Sequence, residues 1–216
     1  MVAIYSKRQY VAERELGALL RRFRNKACDA IKPCLDGIAD DQATAVELAC
    51  TNPYSIVYGK PGTGKTTTVR RIVQSFDNAG MKGIIATPTG KAAKRSDEVL
   101  STDGVEYYSR PECNTTFRAL GFKQGQYEFN LNNPLRLDYA VIEEGSMLAG
   151  EDAKNFHAAI DPKHTRVVLV GDPFQLPSVG AGNFLYDMIS SGKFPRTELR
   201  KIYRQGANSG IVHNAS

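Results

Sequence analysis

Residues 59–66 read Gly-Lys-Pro-Gly-Thr-Gly-Lys-Thr and satisfy G-x-x-x-x-G-K-[ST], a spacing that can hold polyphosphate. Gly59, Gly62 and Gly64 allow the backbone to turn its N–H groups toward one point. Lys65 adds a positive charge for the β- and γ-phosphates, and the helix that follows presents its N-terminus to the anion. Thr66 is placed to ligate Mg²⁺, and Lys60, Pro61, Thr63 and Thr67 complete the expected phosphate surroundings. Further along, Tyr139-Ala-Val-Ile runs into Glu143-Glu144, two carboxylates at the C-terminal end of an apolar segment. One can hold Mg²⁺ and the other can orient the attacking water. A third apolar run, Val167–Val170, ends in Gly-Asp-Pro-Phe-Gln175, which brings a side-chain amide toward the same region as a sensor of γ-phosphate. Together these residues point to a Mg²⁺-dependent nucleoside triphosphatase.

Such groups work only if strands deliver them to one edge. Ser55–Tyr58, Gly83–Thr87, Tyr139–Ile142 and Arg166–Val170 are short, apolar and bounded by turn residues, and they alternate with helical stretches such as Lys65–Asn78. That pattern predicts an α/β fold, a doubly wound, mostly parallel sheet with helices on both faces. Ligands of such sheets bind beyond the carboxyl ends of the strands. Ahead of it, apolar residues from Val11 to Phe23 recur at helical spacing over Tyr10–Asn25, with Arg21, Arg22, Arg24 and Lys26 on the other side. A second helix is expected over 40–50, capped by Asp40 or Asp41. Residues 101–133 are polar and rich in Gly, Pro and Asn, and read as an irregular excursion with a hairpin near Phe122–Phe129.

The bulk properties agree with one ordinary domain. The chain has 216 residues, 42% hydrophobic and 24% charged, which excludes disordered and collagen-like classes. Twenty-eight Lys and Arg against 23 Asp and Glu give a net charge of +5, compatible with a polyanionic partner without requiring one. No apolar run is long enough to span a membrane, and the first residues lack the apolar core of a signal peptide, so a cytoplasmic protein is expected. Cys28, Cys34, Cys50 and Cys113 fit neither a zinc pattern nor a disulfide framework and read as reduced thiols.

With these segments in order, the chain resembles a superfamily 1 DNA helicase of the RecD-like branch. Asp41-Gln42 is similar to the family's adenine-reading motif, and Gly59–Thr66 to its motif I. Ala86-Thr-Pro-Thr-Gly-Lys-Ala-Ala93 resembles motif Ia, which lies along the single-strand channel. The resemblance implies strand contacts by Thr87, Pro88 and Thr89. Cys113–Gly121 is similar to the family's TIHRLLG segment, with Phe117 where His is usual, and adds Thr115 and Thr116 to the nucleic-acid candidates. Glu143-Glu144-Gly-Ser-Met147 stands where the family has DEASM. It makes Glu143 the metal-side carboxylate in place of Asp and Glu144 the general base. Residues 171–179, GDPFQLPSV, look like motif III, with Gln175 coupling γ-phosphate to the strand-binding surface. LRKIYRQ at 199–205 looks like motif IV, with Tyr203 stacking on adenine and Arg204 reaching the γ-phosphate.

The resemblance implies ATP and Mg²⁺ as cofactors, single-stranded DNA as partner with RNA not excluded, and movement from 5′ to 3′. It also implies a helical segment over 1–38, a first RecA-like domain over 39–205, and from 206–216 the start of a helix toward a second RecA-like domain, supplied in cis or in trans. The competing expectation is a regulatory module that binds ATP and a DNA or protein partner with little hydrolysis. A small-molecule P-loop kinase leaves the later motifs unexplained.

Overall fold

The computed structural model describes residues 6–24, 26–102, 104–175 and 180–203. Their elements in chain order are α1 (Lys7–Arg24), α2 (Asp40–Thr51), β1 (Tyr54–Gly59), α3 (Lys65–Asn78), β2 (Gly83–Thr87) and α4 (Gly90–Thr102). There follow β3 (Glu112–Thr115), the short α5 (Thr116–Ala119), β4 (Phe122–Lys123), β5 (Gln126–Tyr127) and β6 (Tyr139–Ile142). The last are a 3₁₀ turn (Gly145–Met147), α6 (Gly150–Ala158), β7 (Arg166–Gly171), α7 (Phe184–Ser191) and β8 (Arg196–Leu199).

Six strands form one sheet in the order β3-β2-β6-β7-β1-β8, with every pairing parallel. Side chains alternate across a strand, so a strand with both faces covered must be apolar throughout. In β7, Val167 and Leu169 enter the core beneath α1, α6 and α7, while Val168 and Val170 enter the core beneath α2, α3 and α4. The first core gathers Leu16, Phe23, Phe156 and Leu185, and the second gathers Val46, Ile72, Phe76 and Leu100. The doubly wound α/β fold expected from the sequence is therefore the fold observed.

Two local expectations need correction, and one strand was not expected. The cap of α2 is Ala39, and neither Asp40 nor Asp41 serves; the Gln42 Oε1 instead accepts the Ala39 N–H at 3.1 Å. Within the supposed irregular excursion, β3 forms an edge strand on β2 and α5 follows it, while the β4–β5 hairpin falls where one was expected. β8, paired with β1 at the opposite edge, was also unread. Edge strands need no continuous apolar run, and Glu-Cys-Asn-Thr and Arg-Thr-Glu-Leu offer none.

The N-terminal helix is part of the packing. Ala12, Leu16 and Phe23 share its buried face, and Phe23 meets the Tyr54 ring edge-on with centroids 5.4 Å apart. Ion pairs from Arg8 to Glu151 at 2.6 Å and from Lys154 to Glu15 at 3.5 Å join α1 to α6. Both pairs are open to solvent on at least one side and of small energetic value, so burial of Leu16 and Phe23 carries the docking.

At the centre of this contact lies His157 of α6, fully buried. Its Nδ1 lies 2.7 Å from the Ala153 carbonyl, which can only accept, so Nδ1 carries the proton and Nε2 accepts the Tyr54 hydroxyl at 3.0 Å. Burial pushes the imidazole down to about 4 from its ordinary 6.5, against the opposing pull of the Ala153 carbonyl. The unfolded chain therefore binds this proton more readily. The stabilisation is complete above pH 6.5 and is lost as the pH falls from there through about 4, a change on the order of 3 kcal/mol. Denaturant unfolding across that window should show this slope, and His157→Gln should flatten it.

Candidate nucleotide site

The parallel order sets the site. β7 enters between β1 and β6, so the loop after β1, the carboxylates after β6 and the segment after β7 meet at one edge of the sheet. The loop from Gly59 to Gly64 leads into α3, whose N-cap is Gly64 at φ +82°, a left-handed conformation that disfavours any side chain. Gly59 is needed for a different reason. A Cβ there would lie 2.7 Å from both the Leu199 carbonyl and the Thr63 hydroxyl. Thr63 is buried and donates to the Lys60 carbonyl at 2.8 Å, while Lys60, Pro61, Thr66 and Thr67 are exposed.

Lys65 Nζ donates to the carbonyls of Gly59 at 2.6 Å and Lys60 at 3.1 Å, so it already lies folded back over the loop. Burial pushes its pKa below the ordinary lysine value, while the charges of Asp172, Glu144 and Glu143 oppose that shift. A desolvated ammonium facing carboxylates is attracted strongly to phosphate once a phosphate is near.

Lys65, Thr66, Arg95, Ser96, Glu143, Glu144 and Gly171 line one small pocket of about 60 Å³. Glu143 stands one residue past β6, where burial pushes its carboxyl above the ordinary range and the Ser96 hydroxyl, donating to Oε2, pulls it back. Glu144 takes a left-handed conformation at φ +53°, strained for a residue with a Cβ and characteristic of positions held for function. Hydroxyl and carboxylate oxygens are donors suited to a hard cation such as Mg²⁺. Among the described residues no three His, Cys, Asp or Glu side chains are grouped to hold a metal, so these donors fit an ion that arrives with phosphate oxygens.

The Gln42 side of the loop is equally defined. The Gln42 Nε2 donates to the Gly64 carbonyl at 3.2 Å, and its Oε1 lies 3.5 Å from the Tyr203 hydroxyl. Tyr203 donates its backbone N–H to the Gly62 carbonyl at 2.8 Å and keeps a half-exposed ring, with the Lys201 ammonium 5.3 Å from its centroid. Burial pushes the neighbouring Asp41 carboxyl up, but N–H donors of Arg200, Lys201 and Gln42 outweigh it and hold the group below its ordinary value. One carboxylate thus ties the start of α2 to the segment carrying Tyr203.

Other expected residues divide. Gln175 lies exposed just past β7, its N–H on the Asp172 carbonyl at 3.2 Å. Arg204, residues 176–179 of GDPFQLPSV and the helix start over 206–216 lie outside the described residues. Of the nucleic-acid candidates, Pro88, Thr89 and Thr115 are partly exposed at the C-terminal ends of β2 and β3. Thr87 and Thr116 are corrections: both are buried, and the Thr87 hydroxyl is spent on the Thr89 carbonyl at 2.8 Å. They shape the turns that carry the exposed residues, and their own side chains are closed to solvent.

Sequence reasoning missed Asp172, Arg95 and Ser96. Asp172 is buried one residue past β7 and accepts the Phe174 N–H at 3.0 Å. It occupies the place beyond its strand that Glu143 occupies beyond β6, so the same signal was available. Arg95 and Ser96 carry no such signal, because α4 was not separately read and only β2 pairing with β6 brings that helix to the pocket.

Residues 37–215 match the AAA domain family. The chain belongs to that family and, within it, to the RecD-like branch of superfamily 1. It is 29% identical to the ATP-dependent RecD2 DNA helicase of Deinococcus radiodurans over 98% of this chain and 29% of that protein. It is 33% identical to the RecBCD enzyme subunit RecD of Mycolicibacterium smegmatis over 82% of this chain and 35% of that one. The chain therefore spans only a minor part of either relative's length. The Pif1 helicase of Candida albicans shares the fold over 81% of this chain and 42% of that one, with a TM-score of 0.54 at 21% identity.

Gly59→Ala should be tolerated poorly, because one of the two atoms its Cβ meets belongs to the backbone of Leu199. A loss of about 1–3 kcal/mol in unfolding free energy is expected. A fluorescent ATP analogue should bind at least tenfold more weakly, and unchanged affinity would contradict the close approach.

Proposed function

We propose that this chain is the first RecA-like motor domain of an ATP-dependent DNA helicase, hydrolysing ATP with Mg²⁺ and coupling the reaction to 5′ to 3′ movement on single-stranded DNA. The observation that carries this reading is the meeting of Lys65, Thr66, Glu143 and Glu144 in one pocket at the sheet edge.

In the proposed reaction the N–H groups of 59–64 and the N-terminus of α3 receive the phosphates, and Lys65 exchanges its two carbonyl partners for phosphate oxygens. Thr66 and Glu143 would hold Mg²⁺, which supplies charge neutralisation on the β- and γ-phosphates. Glu144 takes a proton from the water whose oxygen bonds to the γ-phosphorus, the bond from that phosphorus to the β–γ bridging oxygen breaks, and ADP leaves with its electron pair. Gln42 and Tyr203 address the adenine, one by its amide and one by its ring face, while Gln175 and Arg204 are assigned to the γ-phosphate. For the amide to reach a base, Gln42 must give up its contact with the Gly64 carbonyl or the Tyr203 hydroxyl.

Beside Pro88 at the end of the β2–β3 edge, the Thr89 and Thr115 hydroxyls accept the Ala92 and Arg118 N–H groups and keep a hydrogen to donate, which suits a sugar-phosphate backbone and is indifferent to base sequence. Translocation needs a second domain to open and close against the first, so a second RecA-like domain in cis or in trans belongs to this proposal.

The test is ATP turnover by the chain with and without single-stranded DNA. The wild type should hydrolyse ATP faster with DNA. Glu144→Gln should keep ATP affinity within about threefold and lower turnover at least a hundredfold, as removal of a general base does. Lys65→Ala should lose affinity and turnover together. ATP binding without turnover above the Lys65→Ala level would favour the regulatory module. A separate competition experiment should show Gln42→Ala losing the preference for ATP over GTP, about tenfold, with Mg²⁺ dependence intact.

A further inference from the structure

The carboxylate on the metal side is Glu143, one methylene longer than the Asp that the family resemblance leads one to expect. An extra methylene carries a carboxylate roughly an ångström too far unless something draws it back, and Mg²⁺ tolerates such misplacement badly. The structure holds a group suited to draw it back. Ser96 lies in the second turn of α4, buried to 8% exposure, and its hydroxyl donates to Glu143 Oε2. The same Oγ lies 3.1 Å from the Ala92 carbonyl four residues earlier, the usual resting partner of a serine inside a helix. A hydroxyl has one hydrogen, so it serves one acceptor at a time, and a carboxylate is the stronger.

Size matters as much as polarity. Ala92, Arg95, Ser96 and Val99 form the α4 side of the pocket, and Ser96 is small enough to admit the longer glutamate there. One carboxylate oxygen is thereby committed to α4, and Glu143 lines the same pocket as Lys65 and Thr66.

We infer that Ser96 is a positioning residue for Glu143. Its hydroxyl and small volume together retract the longer carboxylate, so that a glutamate does the metal-side work of an aspartate. This rests on the reading of the site proposed above. The pair is a unit: Ser96 has this role only while residue 143 is glutamate.

The experiment is a double-mutant cycle on the whole chain, read by binding and not by turnover. Mn²⁺ is titrated by electron paramagnetic resonance in the presence of saturating ADP, using wild type, Ser96→Ala, Glu143→Asp and the double variant. Melting temperature and metal-free ADP affinity are followed in parallel. Ser96→Ala should weaken Mn²⁺ about tenfold, the usual scale for a group that orients a metal ligand, with metal-free ADP affinity unchanged. Ser96→Thr, which keeps the hydroxyl but adds a methyl group to this buried pocket, should restore only part of it, and full restoration would remove small volume from the role. In the Glu143→Asp background, removing the Ser96 hydroxyl should change Mn²⁺ affinity by less than twofold. Equal losses in both backgrounds, or no loss in either, would overturn the role of Ser96 and leave the nucleotide site standing. A wild-type chain that bound neither ADP nor Mn²⁺ would overturn the nucleotide site itself and this role with it.

Discussion

Everything at this site depends on one topological constraint: six parallel strands whose C-terminal ends lie along a single edge. A parallel strand delivers its next residue to the same side as its neighbours do. With β7 inserted between β1 and β6, the segment after β7 lies between the phosphate loop and the two glutamates. The cost of crowding that edge is visible in its residues. Gly59 has no room for a methyl group, Glu144 is left-handed, and Lys65 and Glu143 are each shifted by burial away from their charged forms.

Those shifts suit the chemistry. Burial costs an isolated charge dearly, and here opposite charges are close but not paired off. Lys65 rests on two backbone carbonyls, and Asp172, Glu143 and Glu144 act on it electrostatically. A triphosphate with its metal ion supplies both missing partners, anion for Lys65 and cation for the carboxylates. The edge is thus poised for a ligand that carries both signs.

Much of this was legible in the sequence, for identifiable reasons. The central strands β1, β2, β6 and β7 are buried on both faces and so must be apolar throughout, which makes them readable and with them the loop and carboxylates they deliver. The edge strands β3 and β8 face this demand on fewer sides and were invisible to it. Lys65 could be found from the spacing of the glycine-rich loop, and Glu143 and Glu144 from their place at the end of an apolar strand. Thr87 and Thr116 were misplaced because a hydroxyl next to a strand end serves a turn as readily as a ligand, and only burial separates the two. Asp172 was overlooked beside the more conspicuous Gln175. Ser96 could not be read at all, since its role exists only across the gap between α4 and β6.

The most direct test of the site is a crystal structure of the chain with a non-hydrolysable ATP analogue and Mg²⁺. The account predicts phosphates inside the 59–64 loop, Lys65 Nζ moved from the Gly59 and Lys60 carbonyls to phosphate oxygens, and the adenine against Tyr203. Nucleotide bound elsewhere, or bound here with Lys65 still on those carbonyls, would contradict it.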